Sequence, residues 1–210
     1  MRKFILFSLV SISSHLMAQK SFFGVDAGVN VASQRTVLTI NAPGSTVHST
    51  SSGAVVIKPI FGVFYQRGFS KNMGVRLDAQ YMGMGTKANG FQTRDIEINY
   101  LTLPLTIHYS VKDRLSFNAG PYLSFTLGGT RLNNEPVTKT FHQNDRGFRF
   151  GGAYEFYKNI SVNINYVLGL MNVWLADTST DNVTNTTYHT KVMNRALQFS
   201  LIYKFSKNSK

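Results

Sequence analysis

The sequence predicts an all-β protein: an eight-stranded antiparallel up-and-down transmembrane β-barrel with four long extracellular loops and short periplasmic turns. Three observations carry this. Apolar and polar residues alternate with period 2 through most of the chain, as half-exposed strands require. The connections between these runs alternate long and short without exception. Charged residues are only 15% of the chain, against about 25% for an ordinary soluble domain, and the polar positions hold Gly, Ser, Thr and Asn instead.

Met1 to Ala18 begins with Arg2 and Lys3, continues through the apolar run Phe4 to Ile12, and ends Leu16-Met17-Ala18. This is the pattern of a secretory signal peptide cleaved after Ala18, leaving residues 19–210 as the barrel. The apolar run is shorter than the about 20 residues a membrane helix needs. A chain that enters a bilayer without such helices does so as a closed barrel.

The first strand is Ser21 to Ala32, with Phe23, Val25, Ala27, Val29 and Val31 on one face. Gln34 to Gly53 reads as a loop rich in Ser and Thr. The second strand, Ala54 to Arg67, is irregular: Phe61, Val63 and Tyr65 share a face, while Ile60 and Phe64 fall opposite. A bulge at Pro59 would reconcile them. Gly68 to Asn72 is a turn. The third strand is Met73 to Gly83, followed by a polar loop, Met84 to Asp95.

The fourth and fifth strands form a hairpin from Asn99 to Thr130. Leu101, Leu103, Leu105, Ile107 and Tyr109 line one face of its first arm. Leu115, Phe117, Ala119, Pro121, Leu123, Phe125 and Leu127 line the same face of its second. These arms exceed the usual length of about 5–6 residues and suit the about 9–11 residues of a tilted membrane strand. Pro104 and Pro121 each remove a backbone donor, so a bulge or a ladder gap is expected at each. Gly129 to Arg146 is again a loop. The sixth strand is Gly147 to Phe156, a tight turn holds Lys158 and Asn159, and the seventh is Ile160 to Leu170. A fourth loop, Met171 to Thr190, precedes the last strand, Lys191 to Phe205. Outward strand ends carry Phe23, Tyr65, Tyr81, Tyr109, Tyr154, Tyr166 and Tyr203, which suits interfacial aromatic girdles.

A soluble barrel has the same alternation with the faces reversed. Here the polar face makes a poor solvated surface and fits a narrow lumen. Its few charges, Asp26, Arg76, Asp78, Arg149 and Glu155, include both signs and are expected to pair inside. An eight-stranded barrel is only wide enough for side chains to fill, so a polar plug is the expected role, with a small-solute channel as the alternative.

The runs Phe23-Gly24-Val25-Asp26-Ala27-Gly28-Val29-Asn30, Asn99-Tyr100-Leu101-Thr102-Leu103-Pro104-Leu105 and Asn118-Ala119-Gly120-Pro121-Tyr122-Leu123, with the terminal Tyr203-Lys204-Phe205, resemble the porin family, or outer membrane β-barrel proteins, of Bacteroidetes-type bacteria, the PorT-like group. The resemblance implies an outer-membrane location and an eight-stranded barrel, and little about activity. One namesake subgroup serves type IX protein secretion; nothing in these residues ties this chain to that role. The aromatic C-terminus resembles the signal by which such barrels reach the assembly machinery.

The net charge is +12, or +10 once the two charges of Arg2 and Lys3 are removed. In an exported chain with scattered basic residues this points to a polyanionic membrane surface, such as lipopolysaccharide, and away from nucleic acid. Arg131, Arg146 and Arg195, with Arg35, Lys87, Arg94, Lys139 and Lys191, fall in the loops or near the extracellular strand ends, where contact with lipid phosphates and ordinary solvated charge are the two readings. There is no cysteine, which excludes disulfides and thiol chemistry. His48, His142 and His189 lie in loops without metal-ligand spacing, and His108 falls on the lumen face. No Ser/His/acid set can be placed by spacing. The expectation is a monomeric, non-enzymatic surface barrel without a metal or cofactor, or else a barrel component of a secretion system.

Overall fold

The computed structural model describes residues 21–87, 95–112, 114–133, 135–136, 144–175 and 178–205. The signal peptide, Arg94, Lys139 and His142 lie outside the described residues. In chain order the strands are β1 (Ser21–Ala42), β2 (Ser45–Ser52), β3 (Val56–Gly68), β4 (Met73–Thr86), β5 (Ile96–Lys112), β6 (Leu115–Leu132), β7 (Glu135–Pro136), β8 (Asn144–Tyr157), β9 (Ile160–Gly169), β10 (Thr178–Asp181) and β11 (Thr186–Phe205). Eight of them, β1, β3, β4, β5, β6, β8, β9 and β11, close a ring of antiparallel neighbours, with β1 paired to both β3 and β11. Closure leaves no open edge through the ring.

Alternation sets which face is which. Phe23, Val25 and Val29 of β1, Phe61 and Val63 of β3, Leu77 of β4, Leu105 and Ile107 of β5, Phe148 and Phe150 of β8 and Leu201 of β11 are all exposed. Their neighbours Asp26, Asn30, Arg76, Asp78, Thr106, Arg149 and Ser200 are buried. An apolar belt around the whole ring far exceeds the patches that soluble monomers expose, and identifies the lipid-facing surface. Aromatic pairs sit on it: Phe23 with Tyr65 and Phe61 with Tyr81 have ring centroids 4.9 Å apart, and Phe150 lies 5.5 Å from Tyr166.

At one end the connections are tight. The β8–β9 turn places Asn159 at φ 65°, a left-handed conformation that Asn tolerates. At the other end the strands outrun the belt, which corrects the loop reading. β1 continues through Gln34 to Ala42, turns at Pro43-Gly44 with Gly44 at φ 84°, and returns as β2. The run Thr36-Val37-Leu38-Thr39-Ile40, β-branched at four of its five positions, favours this extension. β11 pairs with β1 as far as Asn41↔Thr187, and β10 adds to β11. The strands β2, β1, β11 and β10 thus form a polar sheet standing beyond the belt. His48 and His189, read as loop residues, lie on it. Thr39 Oγ1 meets His48 Nδ1 at 3.0 Å, and Thr178 Oγ1 meets His189 Nδ1 at 3.0 Å. In the β10–β11 turn the Val183 amide and the Thr184 hydroxyl donate to Asp181 and hold its carboxyl below the usual carboxylate range.

The prolines interrupt the ladder without shifting it. Pairing of β4 with β5 stops at Leu77↔Leu105 and resumes at Gln80↔Thr102, leaving out Pro104. Pairing of β5 with β6 stops at Pro104↔Tyr122 and resumes at Ile107↔Ala119, leaving out Pro121. Register is the same on both sides, so each proline makes a gap and no bulge. Pro59 pairs in register with Val29, without the expected bulge, and the β3–β4 ladder begins only at Ile60↔Met82. Ile60 and Phe64 need no bulge: both face the lumen and are 2% exposed.

Candidate functional site: the closed lumen

The lumen is filled in two layers. Toward the β1–β2 hairpin end, opposite the tight turns, it is apolar. Val56 and Ile60 of β3, Met82 and Met84 of β4, and Ile96, Ile98 and Tyr100 of β5 pack with Tyr122 and Val167. This differs from the wholly polar interior expected from the sequence. The physical reason is that parity assigns a residue to the inner face but does not say what the inner face meets. Inner-face side chains packed on one another in a narrow bore bury apolar area there, while the hydroxyls of Tyr100 and Tyr122 reach Asn194 and Asp145.

Below this layer lies a charge cluster. β4 delivers Arg76, Asp78 and Gln80 to the inner face at two-residue steps, β1 delivers Asp26 and β8 delivers Arg149. Asp78 is the hub. Its Oδ1 accepts from Arg76 Nη2 at 2.5 Å and Nε at 2.9 Å, and its Oδ2 accepts from Arg149 Nη2 at 2.8 Å. Arg149 Nη1 donates to Gln80 Oε1 at 2.8 Å, and Gln80 Nε2 donates to Asp26 Oδ2. Arg76 Nη2 stands 3.6 Å from Asp26 Oδ2, and its guanidinium lies over the Phe64 ring at 3.6 Å. Two carboxylates face two guanidinia, so the cluster is formally neutral. The side chains of Arg76 and Arg149 are each 3% exposed. Ion pairs this far from water persist only where geometry and hydrogen bonds compensate desolvation.

Four of the five predicted lumen charges therefore meet. Glu155 stands apart: its side chain is 31% exposed and its Oε2 accepts from Lys204 Nζ at 2.7 Å, near the turn end. An exposed pair of this kind contributes about 0–1 kcal/mol. Glu155→Gln is expected to leave the midpoint of urea unfolding in lipid nearly unchanged; a large drop would show that the pair secures the barrel mouth.

Sequence reasoning missed a second polar group. Asp145 of β8 accepts from Tyr122 Oη at 3.0 Å, Asn194 Nδ2 at 3.0 Å and the Arg146 amide at 2.8 Å. Asn194 also receives Gln34 Nε2 at 3.2 Å. Asp145 shares the parity of Arg149, and extending the sixth strand back by one alternation would have found it. Gln80 and Phe64 carry no charge, so a search for paired lumen charges does not select them. Among the described residues no group of His, Cys, Asp or Glu is placed to hold a metal.

The predicted lipid-contact arginines lie toward the hairpin end. Arg131 and Arg146 are exposed. Arg131 is in register with Glu97, which pairs with Lys58 at 2.5 Å. Arg195 is partly committed, its Nη1 donating to the Gly169 carbonyl at 2.5 Å.

Residues 17–174 match the model of the family described as outer membrane protein beta-barrel domain. No curated protein matches the chain. Among solved structures it is similar to neisserial surface protein A (12% identity, 86% of this chain and 99% of that one, TM-score 0.50). It is also similar to OprG of Pseudomonas aeruginosa (15%, 90% and 98%, TM-score 0.49) and to E. coli outer membrane protein W (14%, 90% and 100%, TM-score 0.42). At these identities the likeness concerns the fold.

Proposed function

Since the chain belongs to the family of outer membrane β-barrel domains, we propose that it is a closed, non-conducting barrel of the outer membrane whose role is structural and surface-directed. The buried cluster centred on Asp78 carries this reading. A solute path requires a bore, and here charge-paired side chains from β1, β4 and β8 meet across it, under an apolar layer. An eight-stranded ring leaves no room beside them for a hydrated ion. Above the belt, the sheet of β2, β1, β11 and β10 supplies a polar surface for contacts outside the cell. Arg131, Arg146 and Arg195 would meet lipid phosphates at the outer boundary. In this reading the protein acts as a monomer without catalytic activity, and the assembly machinery is its partner only during insertion. The Asn99 to Leu105 and Asn118 to Leu123 runs support a finer place in the PorT-like group.

The test is electrical. Purified barrel inserted in planar bilayers in KCl is expected to give no unit current. Discrete, reproducible conductance steps would overturn the closed reading and favour the small-solute channel.

A further inference from the structure

Hydrogen-bonded partners around the ring define rows that climb the lumen wall. One row runs Gly74, His108, Asn118, Gly151, Asn165, Gln198, Asn30, Lys58, each in register with the next across β4, β5, β6, β8, β9, β11, β1 and β3. It starts next to the β3–β4 turn and ends on Lys58 at the hairpin end of β3. Four of its members are side-chain amides, and Asn163 lies beside it on β9. The side-chain oxygens of Asn30, Asn118, Asn163, Asn165 and Gln198 are buried and have no hydrogen-bond partner among the described residues.

Three of the amide nitrogens are used. Asn30 Nδ2 donates to the Gly83 carbonyl at 2.6 Å, Gln198 Nε2 to Met82 Sδ at 3.0 Å and Asn163 Nδ2 to Ser200 Oγ at 3.5 Å. These bonds orient the side chains and leave the oxygens free. Gly151 is part of the arrangement: a Cβ there would stand 2.3 Å from Asn165 Oδ1. Buried acceptors gathered along one line call for a donor, and ordered water is the usual one. A metal cation fits less well, because the acceptors of this row are neutral amide oxygens with no carboxylate among them.

We propose that this row binds a file of water molecules, so that the barrel passes water while it excludes ions. The inference rests on the closed reading of the lumen, since an open bore would need no such track. Osmotic shrinkage of proteoliposomes, followed by stopped-flow light scattering, is expected to be several-fold faster than that of protein-free vesicles of the same lipid. The double variant Asn165→Leu/Gln198→Leu replaces two of the acceptors by apolar groups and is expected to return the rate to the protein-free value. Heat-modifiable gel migration checks that it folds. In the wild-type barrel, NMR magnetisation transfer from water to the side-chain NH2 groups of Asn118, Asn163 and Asn165 is expected, which does not depend on any variant. A wild-type rate equal to that of empty vesicles, an unchanged rate in the folded double variant, or absent magnetisation transfer would each overturn the water file. Ion currents through the wild-type barrel would instead overturn the closed reading.

Discussion

Asp78→Ala is expected to destabilise the barrel by about 3–5 kcal/mol, the usual cost of stranding a buried charge. One carboxylate serves both guanidinia, through separate oxygens. Without it, Arg149 keeps only the neutral Gln80, and Arg76 keeps Asp26 at 3.6 Å and the face of Phe64. Neither residue is exposed enough to recruit bulk water. Urea unfolding in lipid vesicles, read by tryptophan fluorescence or by heat-modifiable migration, measures the loss. Asp78→Asn retains an acceptor but no charge, and a loss nearly as large is expected. The double variant Asp78→Leu/Arg149→Met removes one charge of each sign and leaves Arg76 matched by Asp26. It is expected to be more stable than Asp78→Ala, because apolar groups of similar volume often replace buried pairs at little cost. Wild-type stability in Asp78→Ala would remove the buried cluster as the support of the closed reading.

How much of this was legible in the sequence depends on which solvent each residue meets. The lipid-facing half was readable because lipid demands an apolar residue at every second position, so Leu101 to Tyr109 and Phe148 to Phe156 declare themselves. The demand stops where the lipid stops. The upper parts of β1 and β11 are strands by hydrogen bonding and not by alternation, and Gln34 to Ala42 therefore reads as a loop. The lumen was readable only by parity. Parity places Asp26, Arg76, Asp78, Arg149 and Glu155 on one face but is silent on depth. Glu155 lies six residues beyond Arg149 on β8, about 20 Å at strand rise. It therefore ends at the mouth with Lys204. Register, which decides depth, is set by the tilt and closure of the whole ring. The same blindness hides the apolar layer. Ile60 and Phe64 look like errors in the second strand until the neighbouring strands are in place, when Met82 and Tyr100 join Ile60 in one cluster and Arg76 lies over Phe64.

The lipid-facing assignment itself makes the other large prediction. Leu105 is 49% exposed, on β5 opposite Leu77 of β4, well inside the apolar belt. If that surface met water, Leu105→Arg would change stability by no more than about 0.5 kcal/mol, as surface substitutions usually do. Facing the middle of a bilayer, the same change is expected to cost about 2–4 kcal/mol. Tyr109 points the same way from the turn end of β5, where a long cation can reach the headgroups, and Tyr109→Arg is expected to cost only about 0–1 kcal/mol. The comparison of the two, by urea unfolding in vesicles, separates lipid from every alternative environment. A protein core would penalise both sites, and water would penalise neither. A loss that rises with depth requires a solvent with a midplane. Equal effects at Leu105 and Tyr109 would therefore reject the membrane-spanning placement of β5, and with it the orientation of every strand in the ring.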